Sequence, residues 1–163
     1  MSKKKTGIIL ASILIILVIA LVAICSPEQT ELPSMTNEEQ SYISALQDNS
    51  ITVSNAFEEL STLMNNPQIG VDEWTIKAAT QLTIIRFAYD EVKELNPPTS
   101  LSHIHSKYNQ AMSKYSEATY LIASGIDNLD SALLDEATIK MEEGAQYINE
   151  VTALLQTFMA NHR

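Results

Sequence analysis

Pro97-Pro98-Thr99-Ser100-Leu101-Ser102-His103-Ile104-His105-Ser106-Lys107-Tyr108 opens the stretch whose reading decides the fold of this chain. From Leu101 an apolar seam continues through Ile104, Tyr108, Ala111, Tyr115, Ala118, Ile122, Gly125 and Leu129, at steps of three and four. Such spacing keeps every seam residue on one side of an α-helix. The double proline cannot lie inside a helix, so it marks the start. The expected element runs from Thr99 or Ser100 to about Asn128.

Working outward, three more segments carry the same signature. Thr36-Asn37-Glu38-Glu39 is a capping box, with Thr36 as N-cap and Glu39 reaching back to it. A stripe follows at Tyr42, Ile43, Leu46, Ser50, Val53, Phe57, Leu60 and Met64. The polar run Gln47-Asp48-Asn49-Ser50 interrupts it, and predicts either a hydrogen-bonded polar layer or a bend. Asn65-Asn66-Pro67-Gln68-Ile69-Gly70 reads as a turn. The next stripe is Val71, Trp74, Ala78, Leu82, Ile85, Tyr89, Val92 and Leu95, with Trp74 read as a plug at the far end of the core. Its helix opens near Asp72 and ends before Pro97, because Asn96 is biased out of helical geometry. Glu73–Lys77 and Arg86–Asp90 are spaced to pair across one turn. The last helix, capped by Asp127, Asn128 or Asp130, runs to about Ala160. Its stripe is Leu134, Ala137, Met141, Gly144, Ile148, Val151, Leu155 and Phe158. A glycine inside a helix costs about 1 kcal/mol against alanine, so Gly144 predicts a bulky partner packed on it, with Tyr115 the candidate.

A single stripe per helix is hidden from water only against the other three. Each buried side chain then contributes ~1.5–3 kcal/mol. The expected class is all-α: an N-terminal transmembrane helix followed by an antiparallel up-down-up-down four-helix bundle.

Ahead of the bundle, residues 7–25 form a run without charge, preceded by Lys3, Lys4 and Lys5. Nineteen helical residues rise about 28 Å, enough for the hydrocarbon core of a bilayer. The lysines hold the N-terminus in the cytoplasm, so the remainder lies outside. The expected organisation is a cytoplasmic tail at 1–6, the membrane or signal segment at 7–25, a Pro-punctuated linker at 26–35 and the bundle at 36–163. Residues 7–25 read as an uncleaved anchor, as a lipoprotein signal with Cys25 lipidated, or as a cleaved signal peptide. All three deliver the bundle to the same side. Cys25 is the only cysteine, so the bundle is expected to be held by packing without a disulfide.

Charge narrows the function classes. Setting the three leading lysines aside from 10 basic residues leaves seven against 20 acidic ones, a balance of −13. A surface this acidic repels nucleic acid and anionic lipid. Di-iron bundles use Glu-x-x-His pairs on facing helices, and none of His103, His105 and His162 has an acid three residues earlier. His103 and His105 are two apart, on different sides of a helix. The four glycines stand singly, so there is no phosphate loop. No enzyme activity, metal or cofactor is expected. The candidate ligand-binding residues are His105 and Tyr108, at the end of the bundle nearest the anchor. There His105 is expected to face Tyr42, Val92 or Leu155, as a half-buried group bonded to a neighbouring helix or as part of a ligand recess.

The pattern Pro97, Pro98, Leu101, Ile104, His105, Tyr108, Ala111 resembles a group of bacterial extracytoplasmic helical domains, often lipoproteins, for which no activity is known. Across about Thr36 to Phe158 the resemblance implies an antiparallel bundle outside the membrane, and it implies no catalytic residue. The two function readings are an interaction or scaffold module for protein or cell-envelope partners, and a small-molecule or cation-binding bundle with a recess near His105 and Tyr108.

Overall fold

The computed structural model describes residues 34–162, which form four long helices and, among those residues, no strand. They are α1 (Asn37–Asn65), α2 (Asp72–Glu94), α3 (Ser102–Asp127) and α4 (Ser131–Ala160), with a 3-10 turn at Thr99–Leu101 leading into α3. The segment 7–25 and Cys25 lie outside the described residues. Among the described ones, no helix is long and apolar enough to cross a membrane.

Local chemistry explains each boundary. The Thr36 hydroxyl accepts from the Glu39 amide, while the Glu39 carboxylate takes the Thr36 amide at 2.8 Å, completing the capping box. Pro97 and Pro98 end α2 and set the 3-10 turn, in which the Leu101 amide donates to the Pro98 carbonyl. Asp130 caps α4 by accepting from the Ala132 amide at 2.9 Å. The helix α1 passes unbroken through Asp48–Ser50, and of the polar run Asn49 and Ser50 are buried within the bundle while Asp48 stays exposed.

Cross-helix contacts fix the directions. Asn49 of α1 bonds Ala88 and Glu91 near the end of α2, and Trp74 near its start donates to the Leu63 carbonyl near the end of α1. Those two helices are antiparallel. Tyr42 meets His105 and Phe57 meets Tyr115, so α1 and α3 run the same way across the core. Lys107 pairs with Glu150 and Lys114 with Glu143, so α3 and α4 are antiparallel.

The predicted stripes are the core. Leu46, Val53 and Leu60 of α1, Ala78, Leu82, Ile85 and Val92 of α2, Leu101 of the 3-10 turn, Ile104, Tyr108, Ala111, Tyr115, Ala118 and Ile122 of α3, and Ala137, Met141, Ile148 and Val151 of α4 are buried together. Two stripe members depart from expectation. Val71 precedes the first turn of α2 and stands half in water. Leu129, expected on the seam of α3, is 73% exposed. The helix stops at Asp127 in a Schellman turn, with the Asp130 amide on the Gly125 carbonyl at 2.9 Å and the Leu129 amide on Ile126. Leu129 takes the left-handed position of that turn, at φ 54°, which carries its side chain away from the core.

The closest helix pair is α3–α4, and two glycines account for it. A Cβ on Gly144 would stand 2.5 Å from the Tyr115 ring, and one on Gly125 would stand 2.7 Å from Leu134. Each helix thus seats a large side chain on the bare backbone of the other. The expected Tyr115–Gly144 contact is present.

Candidate functional site

Three polar or exposed regions stand out from the apolar core, at the two ends of the bundle and at mid-height. At the end where α1 begins, the Glu39 side chain is buried although charged. Its Oε2 serves the Thr36 cap, and its Oε1 accepts from the Ser100 hydroxyl at 2.6 Å, tying α1 to the turn after Pro98. The Ser100 bond, then the Thr36 amide, hold this carboxyl below its ordinary range, and the charge of His162 adds a little. The capping box was legible in sequence. The Ser100 tie, which joins groups far apart in the chain, was not.

One turn along, His105 Nδ1 lies 2.6 Å from the Tyr42 hydroxyl. This is one of the three partners expected for His105, and it makes the histidine a half-buried group bonded to a neighbouring helix. With the imidazole neutral, Tyr42 donates and Nδ1 accepts, which places the ring proton on Nε2. Burial lowers the His105 pKa and raises that of Tyr42 to about 12. Both shifts favour the neutral pair.

Tyr108, the other candidate residue, does not join His105. It is buried, and its hydroxyl donates to Asn49 Oδ1 at 2.9 Å. Asn49 Nδ2 in turn donates to the Ala88 carbonyl at 2.9 Å and to Glu91 at 3.3 Å. Burial drives the Tyr108 phenol upward, so it stays protonated. Asn49 connects α1, α2 and α3. Sequence reading placed Ser50 on the seam and missed its neighbour; the signal was a polar side chain seven residues after Tyr42, on the same face. Tyr115, a further seven residues along α3 from Tyr108, has a buried hydroxyl with no hydrogen-bond partner among the described residues.

At the opposite end, large apolar side chains stand in water. Leu129 is the most exposed of them, and Ile69 and Val71 on the α1–α2 turn at the same end are about half exposed. Asp72 and Glu73 follow Val71 in the chain, Asp127 and Asp130 flank Leu129, and Lys77 is paired with Glu73 at 2.7 Å. Trp74 is buried beneath this end, as expected for a plug. Arg86 was expected on Asp90. Instead it lies over the Tyr120 ring at 4.9 Å and donates to the Leu82 carbonyl, while Asp90 pairs with Lys93. A guanidinium on an aromatic face keeps its packing where a carboxylate pair in water gives little.

No three His, Cys, Asp or Glu side chains gather to hold a metal among the described residues. Comparison with protein-family models, curated proteins and solved structures finds no match for this chain.

Proposed function

We propose that this chain is a membrane-tethered, extracytoplasmic helical bundle that acts as an interaction or scaffold module. The tether is the 7–25 segment with its leading lysines, and the working surface is the end of the bundle farthest from Thr36. One observation carries the reading. Leu129 sits in a left-handed conformation that costs a branched side chain roughly 1–2 kcal/mol, and it projects into water. Glycine would satisfy the same turn without that cost. A side chain kept at a loss to stability, at the same end of the bundle as exposed Ile69 and Val71, suits a surface that another protein covers. The acidic surround favours a basic, apolar protein partner and disfavours nucleic acid. The alternative of a ligand recess near His105 and Tyr108 draws less support, because both side chains are already bonded to other helices.

The test is a photoreactive residue at position 69 in the full-length chain, in the membranes of its own host. A discrete protein adduct is expected, and Leu129→Gly should abolish it while raising stability by about 1 kcal/mol. An adduct indifferent to Leu129→Gly, or none from intact membranes, would retire the distal surface.

A further inference from the structure

The stripe that α2 turns toward the core has a counterpart on its opposite side. Ile76, Thr80, Thr83 and Phe87 follow one another at steps of four, three and four, so they form a second seam about half a turn away from Trp74, Ala78, Leu82 and Ile85. Among the described residues no helix packs over Ile76, Thr80 or Phe87, and Thr83 is partly covered by Arg86 of its own helix. Ile76 is 65% exposed and Phe87 64%, and Tyr120 of α3 stands exposed on the same flank. Residues 74–89 contain no acidic side chain, in a chain whose net charge is −10. Glu73 bounds the stripe at one end and Asp90 at the other, each already paired with a lysine of its own helix. Of the two basic residues in this stretch, Lys77 is held by Glu73 and Arg86 is folded onto Tyr120 and Thr83.

We infer that this face of α2 pairs with the same face of a second copy of the chain, the two bundles standing side by side. Charge selects this occupant. Two copies of so acidic a molecule repel one another over most of their surfaces, and they approach without placing carboxylate against carboxylate along residues 74–89. The spacing also fits, since steps of four and three are those of a coiled-coil seam. A two-fold axis along the bundle brings each seam residue beside its own copy, Phe87 against Phe87 and Ile76 against Ile76, as an isologous contact requires. Four side chains per copy cover far less than the ~800 Å² per partner of a stable soluble dimer. The pairing therefore needs copies held upright in one bilayer, where tethering replaces bulk concentration with a high local one. In that respect the inference rests on the membrane-tethered reading.

The experiment uses full-length chain in membranes, with Cys25→Ser as background and a single cysteine introduced by Thr83→Cys or, on the outer face of α4, by Gln146→Cys. Mild oxidation should give a disulfide-linked dimer of the chain from position 83 and none from 146. Adding Phe87→Glu should cut the dimer yield roughly tenfold or more, as loss of one buried aromatic contact implies. Phe87 is exposed within its own bundle, so an unchanged melting curve would show that this variant still folds. Alkaline washing of the same membranes separates the two readings. A chain that washes off overturns the tether and the pairing together. A chain that stays but links equally from 146, resists Phe87→Glu, or links at 83 only to a protein of another mass overturns the pairing alone.

Discussion

The pair α3–α4 and the docking of α1 on α3 solve the same packing problem in opposite ways. Between α3 and α4 the backbones close up, because Gly144 receives the Tyr115 ring and Gly125 receives Leu134. Charges stay at the rim there, where Lys107–Glu150, Lys114–Glu143 and Lys140–Glu117 step along the boundary at 2.6, 2.9 and 3.2 Å. Between α1 and α3 the contact is made by long side chains reaching across the core. His105 meets Tyr42, Tyr108 meets Asn49, and the rings of Phe57 and Tyr115 pack edge to face at 5.1 Å. Tyr115 belongs to both, with its ring against Gly144 and against Phe57. The first boundary depends on the absence of side chains, and the second on the Tyr42–His105 and Tyr108–Asn49 hydrogen bonds.

The largest test of this contrast falls on α1. Asn49→Ala strands the buried Tyr108 hydroxyl and is expected to cost about 1–3 kcal/mol in urea unfolding. Combining it with Tyr108→Phe should cost less than the two changes added separately, because both belong to one network. Strict additivity would show that Asn49 and Tyr108 do not act together.

A smaller effect is expected on α4. Gly144→Ala gains about 1 kcal/mol of helix propensity but puts a methyl into the Tyr115 ring, at a typical overpacking cost of 1–3 kcal/mol. The expected net result is a lower melting temperature, partly restored by Tyr115→Leu. A more stable Gly144→Ala would mean that the ring can move aside, and that the close approach of α3 and α4 has another cause.

Acid and salt should separate the two boundaries with the smallest effects. Burial lowers the native pKa of His105, so below its ordinary value of about 6.5 the unfolded chain binds more protons than the folded one. The contribution is intact above that value and is lost as pH falls from it toward the lowered native pKa. His105→Gln should flatten that slope. Salt should act instead on the α3–α4 rim, whose lysines and glutamates reach solvent. The melting temperatures of the native chain and of Lys114→Gln are expected to converge as sodium chloride is raised. A gap that persists in high salt would place the ladder deeper than the geometry does.

Much of this arrangement was legible along the chain. Four stripes, the Thr36–Glu39 capping box, the Pro97-Pro98 start and the seat of Tyr115 on Gly144 were all readable, because each depends on near neighbours or on a period that repeats down one helix. The departures sit where a helix ends or a side chain chooses among distant partners. Leu129 fits the seam by spacing, but the Schellman turn moved it off the helix, and the hydrogen bonds of that turn outweigh one leucine's burial. Arg86 fits Asp90 by spacing and found Tyr120 on another helix.

The chain's order of residues determined by itself that four amphipathic helices form and which side of each is apolar, since both follow from a period of about 3.6 residues. Only the tertiary structure decided that Asn49 joins three helices, that His105 and Tyr108 serve different partners, and that one flank of α2 is left in water. Those outcomes depend on the rotation of each helix against its neighbours, which side-chain packing settles and no single helix can specify.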